Sequence, residues 1–344
     1  YAVVLQPGTA LVASTHGDGR TLLWQWDGNR LERIGTLVPP RPDLKQVPSA
    51  AFSDDGRWLV VGGWDKQLDV WDVGNPRAPR LASSIVNGQA PIQSLAFVPA
   101  QDASRMQQLI STDYDGKVRV WSIGEGMPDR PRPEREFAVS DQAKRDIGIS
   151  ASTVSPSGRY FVAGDTEGTV YMWDLRAPGA ATPGWRFEWP NHRGGGGGDV
   201  NTHVKGIAFA PDSTSFVSVG VDGYLVRWTL PANAANFADV VAGMSKQRFR
   251  VGERLYSAAY RPGARNQVAV GGTRSIRLLD LDRGPGGALS TPLPRSDRYG
   301  SSWRAVSMDA AGRRVAARAD TGPILMWLKG ANGFRTMPEG RIGG

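Results

Sequence analysis

The chain has 344 residues, 40% hydrophobic and 22% charged, with 12 Trp and no Cys; so much apolar side chain excludes a disordered polymer, and the missing Cys excludes disulfides, thiol nucleophiles and thiolate metal sites. Its longest apolar runs, such as Trp58 to Val61 and Ile324 to Leu328, fall far short of the ~20 residues of a membrane-spanning helix. The net charge of +8 favours acidic partners at long range.

Taken in chain order, one unit recurs: an apolar strand, a turn with Pro, Asp or Gly, a second strand, a tight Asp/Gly turn, and a third strand ending in Trp. Ala2 to Trp26 carries Asp18-Gly19 ahead of Leu22-Leu23-Trp24. Ser49 to Val73 carries Ser53-Asp54-Asp55-Gly56, Trp64-Asp65-Lys66 and Val70-Trp71-Asp72. Ile92 to Ile123 places Asp115-Gly116 before Val118-Arg119-Val120-Trp121, and Ser152 to Leu175 ends on Met172-Trp173-Asp174. Val204 to Leu230 has Asp222-Gly223 before Val226-Arg227-Trp228. Two copies are degenerate: Tyr256 to Leu281 has Leu279 in the Trp position, and Arg304 to Leu328 has Thr321-Gly322 before Trp327. The seven markers lie 47 to 55 residues apart.

A fourth strand follows the marker, for example at Arg80 to Val86, Glu134 to Val139, Trp185 to Trp189 and Arg248 to Val251. Four antiparallel strands repeated radially leave no long open edge. The expected fold is all-β: a seven-bladed β-propeller of four-stranded antiparallel blades, one domain over 1–344, with blades near 1–38, 47–87, 91–139, 148–190, 203–251, 255–293 and 303–338. Phe334 to Met337 is available as the outer strand of blade seven; residues upstream of Tyr1 are the alternative source.

These units resemble WD40 repeats over essentially the whole chain. The Trp-Asp pair stands at Trp71-Asp72 and Trp173-Asp174, while the family's Gly-His pair is missing. Of its Asp-His-Ser-Trp network, the resemblance carries over Ser218, Asp222 and Trp228, and likewise Ser111, Asp115 and Trp121, with no His in the fourth place. Kelch propellers are the structural rival, but their double glycine appears only at Gly62-Gly63 and Gly271-Gly272. The resemblance implies a scaffold that binds other proteins. Trp24, Trp71, Trp121, Trp173, Trp228 and Trp327 are assigned to the structure, buried between blades.

In such a blade the inter-blade loops share a face with the turns between second and third strands. That face collects residues 38–46, 140–148, 190–203 and 294–303, with Arg41, Lys45, Lys144, Arg145, Arg193, Arg295 and Arg298. Trp64, Tyr114, Tyr299 and Trp303 offer aromatic anchors there, and Arg and aromatic residues dominate interface energetics. The candidate binding set is Trp64, Tyr114, Arg145, Arg193, Arg295, Arg298, Tyr299 and Trp303. Solvated connecting loops are the plain alternative, and for Trp303 the alternative is packing at the start of blade seven's inner strand. Arg77, Arg80, Arg130, Arg132, Arg135 and Arg176 put positive charge on the opposite face too. Charge so spread lacks the basic stripe of a nucleic-acid binder.

Asp18, Asp65, Asp115 and Asp222 each sit in a tight turn, where Asp bonds its own backbone more readily than a metal. His16, His192 and His203 are the only histidines, too few together for zinc. Gly194 to Gly198 lacks the Lys-Ser/Thr of a phosphate loop and reads as a linker. No serine stands in a nucleophile elbow, so no enzyme activity and no cofactor are expected. The chain begins at Tyr1 without Met or leader, and its basic residues are 34 Arg against 7 Lys. The expected function is recognition of a protein or peptide, with an acidic partner suiting the charge. The module would serve as the sensor or assembly domain of a longer bacterial polypeptide, cytoplasmic rather than exported; the rivals are a free-standing secreted or periplasmic propeller, and a propeller enzyme, which would need a polar, titratable cluster at the central channel.

Overall fold

Side chains alternate across a strand, so a segment with two apolar faces needs a neighbour on each. The second strand of every unit is buried along most of its length, and the structure stacks the units radially so that each face meets a neighbour. The computed structural model describes residues 2–28, 30–41, 46–100, 106–139, 147–177, 203–264, 266–284, 292–294, 296, 302–309, 311–320, 324–331 and 333–337, and the backbone of 185–188.

The described residues form seven antiparallel sheets. Blade one contains β1 (Val3–Leu5), β2 (Leu11–Thr15), β3 (Thr21–Trp26) and β4 (Leu31–Leu37); blade two contains β5 (Ser49–Phe52), β6 (Trp58–Gly62), β7 (Gln67–Asp72) and β8 (Arg80–Val86). Blade three contains β9 (Ile92–Phe97), β10 (Met106–Asp113), β11 (Lys117–Gly124) and β12 (Arg135–Ala138); blade four contains β13 (Ile149–Val154), β14 (Tyr160–Asp165), β15 (Thr169–Asp174) and β16 (Trp185–Glu188). Blade five contains β17 (Val204–Phe209), β18 (Ser215–Gly220), β19 (Tyr224–Thr229) and β20 (Ser245–Arg250), with the short helix α1 (Phe237–Gly243) between the last two. Blade six has three strands, β21 (Leu255–Tyr260), β22 (Gln267–Gly272) and β23 (Ile276–Asp280). A lone bridge from Arg277 to Pro292 stands where its fourth would run. Blade seven contains β24 (Trp303–Met308), β25 (Arg314–Ala319), β26 (Ile324–Gly330) and β27 (Gly333–Thr336).

The core is seven apolar clusters, each drawn from two neighbouring blades, including one that joins blade seven to blade one. Each marker residue belongs to a different cluster and packs against the preceding blade: Trp71 on blade one, Trp121 on two, Trp173 on three, Trp228 on four, Leu279 on five, Trp327 on six and Trp24 on seven. This makes the chain a closed seven-bladed β-propeller.

Candidate functional site

Three markers are fixed by one device. Trp24, Trp121 and Trp228 donate from Nε1 to Oγ of Ser14, Ser111 and Ser218 at 2.9, 2.9 and 3.0 Å. In blade three the chain of bonds extends, because Ser111 Oγ donates to Asn87 Oδ1 at 2.5 Å. A buried Asn thus fills the place where the resemblance wanted a His. In blade one Ser14 Oγ lies 3.1 Å from His16 Nε2. Burial, aided by Arg318, lowers the pKa of His16 to about 4, so its ring is neutral at pH 7.

The turn carboxylates need one correction. Asp18, Asp65 and Asp222 accept from the backbone N–H two residues on, as Asp in a turn does. In blade three, however, Asp115 is exposed, and buried Asp113 takes the N–H groups of Asp115 and Lys117 and the Arg119 guanidinium instead. Buried Asp165 plays the same part in blade four, bonded to Glu167 N, Thr169 N and Tyr171 OH. Burial raises the pKa of both carboxyls.

The central channel opens on the face that carries the inter-blade loops, in a cavity of about 530 Å³ whose wall draws on the start of all seven inner strands. In blades three to seven the pairing of first and second strands slips by one residue at that level. A bulge leaves one residue unpaired and re-aims its side chain. The unpaired residues are Gln93, Ser150, Lys205, Tyr256 and Arg304, and all five line the mouth, with Ala2 and Pro48 completing the ring from blades one and two. A small residue follows each bulge: Ser94, Ala151, Gly206, Ser257 or Ala305. At Gly206 a side chain would not fit, since a Cβ would stand 2.9 Å from Ser257 Cα and 2.9 Å from Val219 Cγ2.

Charge around this ring is one-sided. Lys205, Tyr256 and Arg304 come from blades five, six and seven. Arg304 stacks over the Tyr256 ring, 4.2 Å from its centroid, and pairs with Asp320 at 2.6 Å. Lys205 has no carboxylate partner among the described residues, and burial together with Arg304 lowers its pKa. Burial and Lys205 likewise lower His203, to about 4.

Farther out on the same face, Trp64 and Tyr114 are 49% and 42% exposed, with Val38 and Val86 at 63% and 67%. The backbone joins these positions into one arc: Trp64 N bonds to Gln46 O, Ile92 N to Gly63 O and Tyr114 N to Pro91 O, at 3.2, 3.2 and 3.0 Å. Arg41 serves as a brace beneath them, bonded to Asp65 and Asp69.

Trp303 is not an exposed anchor. It opens β24 at 1% exposure, donates to Ser296 O at 3.0 Å and meets the Trp327 ring edge-on. Its place in the strand, one residue ahead of the bulge, turns the indole into the blade interface. Arg145, Arg193, Arg295, Arg298 and Tyr299, with Lys45 and Lys144, lie outside the described residues. The sequence reading missed Lys205, Tyr256 and Arg304, whose only signal is a large polar residue followed by a small one at the head of an inner strand. Among the described residues no three His, Asp or Glu side chains group as metal ligands, and no helix is long and apolar enough to cross a membrane.

The class is therefore a propeller whose blades are pinned by buried, largely Trp, markers and whose polar mouth lies on the loop face. The model for "WD domain, G-beta repeat" matches residues 42–72 and 143–174, so the chain carries WD40 repeats at those two positions. It is 30% identical over 129 residues to the target of rapamycin complex subunit wat1 of Schizosaccharomyces pombe, and 27% identical over 131 residues to the target of rapamycin complex subunit LST8 of Bos taurus. Each match spans 38% of this chain and 35% of the relative. A ribosome biogenesis protein WDR12 homolog of Chlamydomonas reinhardtii is 26% identical over 285 residues, 78% of this chain and 60% of that protein. The aligned chain thus spans a third to three fifths of these eukaryotic relatives.

Proposed function

We propose that this propeller is a non-catalytic recognition platform for a protein or peptide, docked on the face that carries the channel mouth. The carrying observation is that the arc of Trp64, Val86 and Tyr114 and the bulge-built polar mouth lie on one face. An apolar anchor beside a polar recess is the composition of a binding surface rather than of a solvated loop. The relatives add weight, two of them being subunits of a complex by name. In this reading the platform is a sensor or assembly module of a longer bacterial protein, the Arg excess over Lys suiting a GC-rich bacterial genome. A polar, titratable cluster does occupy the channel, as an enzyme would require, but cations dominate it, which suits binding.

The test is capture of partners by the intact chain, followed by affinity measurement on Trp64→Ala with Tyr114→Ala. Both side chains are solvent-facing, so the double variant keeps the wild-type unfolding midpoint and loses at least ~2 kcal/mol of binding, the hot-spot threshold. Unchanged affinity would move the surface elsewhere.

A further inference from the structure

We propose that the mouth of the central channel is a carboxylate site, with Lys205 as its counter-charge and Tyr256 and Arg304 as its wall. This deepens the platform reading, and rests on it only in using the same face. A cation drawn partly out of water without a counter-ion is costly, and a native structure holding one calls for a reason. Lys205 is such a group: it is unpaired among the described residues, lines the cavity, and feels the like charge of Arg304. A bound anion removes both penalties at once.

Placement supports this. Lys205 and Arg304 are bulge residues two blades apart, and Tyr256 is the bulge residue between them. The three side chains therefore face one recess by the same backbone device. Arg304 is held in place by its stack on Tyr256 and its bond to Asp320, so its charge is offset and its position fixed. One unneutralised cation then remains, which matches a singly charged carboxylate better than a phosphate dianion. Across the cavity Gln93 Nε2 is a buried donor with no acceptor. Its terminal torsion is soft, and a turn about it brings the amide to bear on the recess. The 530 Å³ cavity holds a group the size of an acidic side chain.

The carboxylate has two sources, a free organic acid or an Asp, Glu or C-terminal group of a partner chain. Calorimetric titration of the intact chain uses propionate, its neutral isostere propionamide, and the peptide acetyl-Gly-Gly-Glu-Gly-Gly-amide. Propionate should bind at least about tenfold more tightly than propionamide, since the charge-assisted bond is the discriminating contact. Lys205→Met should cost propionate about tenfold or more, and Lys205→Arg should restore it. Removing an unpaired cation should leave the Lys205→Met unfolding midpoint no lower than wild type. A peptide that competes with propionate identifies a partner's side chain as the source; propionate binding alone identifies a free acid. Equal affinity for propionate and propionamide, no saturation by either carboxylate at millimolar concentration, or a response unchanged in Lys205→Met overturns the site. The wild-type comparison needs no variant to fold. Loss of partner binding in the Trp64/Tyr114 variant would stand whatever these titrations give, so the two readings fail separately.

Discussion

The indole nitrogen separates tryptophans that otherwise occupy equivalent places. Ten residues before Trp24, Trp121 and Trp228 stands a Ser, and each indole donates to it. Ten before Trp71 and Trp173 stand Val61 and Ala163, and both indole nitrogens are buried without an acceptor. Trp327, with Ala317 at that position, turns instead to Pro294 O at 2.8 Å. Replacing Trp by Phe removes the donor and some area in every case. At Trp173 it also removes an unsatisfied group, whereas at Trp121 it breaks a bonded chain that reaches Asn87. Trp121→Phe should therefore destabilise by about 1–2 kcal/mol more than Trp173→Phe, the cost of a lost buried bond, as read from urea midpoints at matched slopes. Equal losses would show that the serine bond adds nothing to packing. The serine is legible in the sequence once the Trp is aligned. Asn87 is not, because it lies 24 residues from Ser111 and its type departs from the family's His. Trp303 shows the limit of residue type alone: it stands at the head of the stretch expected for blade seven, where packing at the start of the inner strand competes with exposure on the Arg-, Ser- and Gly-rich loop before it, and the structure gives the packed alternative.

Strands were readable where both faces are apolar or alternate, and unreadable where neighbours decide. The outer strand β8, Arg80–Val86, coincides with the stretch expected from its residues. β20 begins at Ser245, three residues before the expected Arg248, because its exposed Ser-Lys-Gln run has no pattern to read. Helix α1 is seven residues long, two turns capped by Asn236, too short for a helical period to emerge. The inner-strand bulges are a property of two paired strands rather than of either sequence, and so the channel mouth could not be read. Blade six departs from the four-strand expectation. Leu281 N bonds inward to Asn266 O and Leu293 N outward to Ile276 O, so by alternation Leu278 and Asp280 turn their N–H groups outward, where the described residues offer no strand. Hydrogen exchange should find Leu278 and Asp280 exchanging faster than Val120, whose strand β11 is covered by β12 and whose carbonyl accepts from Glu134 N at 2.7 Å. An exposed backbone bond opens without global unfolding. Equal protection would mean that the sheet edge is covered in solution.

Ring closure is where a propeller is most exposed to failure, since every other interface joins blades already tethered in sequence. Here the seam joins blade seven to blade one by side-chain packing and hydrogen bonds rather than by a strand shared between the two. Arg318 Nη1 donates to Thr15 O at 2.7 Å and Arg314 Nη2 to Thr9 O at 3.1 Å. Val12, Leu22 and Trp24 pack against Ala316, Ile324, Met326 and Met337. The outer strand of blade seven is β27, which continues from its own third strand and pairs Trp327 with Thr336. Of the two sources expected for that strand, the C-terminal segment supplies it. Met337 follows directly, bonding its N–H to Met326 O at 2.8 Å and entering the seam cluster beside Trp24. Removing Gly333 to Gly344 therefore strips an edge strand and opens a hole in the one interface that no sequence neighbour holds together. The truncated chain should lose at least about 2–5 kcal/mol, the range for deleting one large apolar side chain such as Met337 from a packed core. Its Trp emission should shift to the red as Trp24 gains water. Differential scanning calorimetry and fluorescence on the two chains measure both; an unshifted midpoint would show that blade seven draws its outer strand from elsewhere.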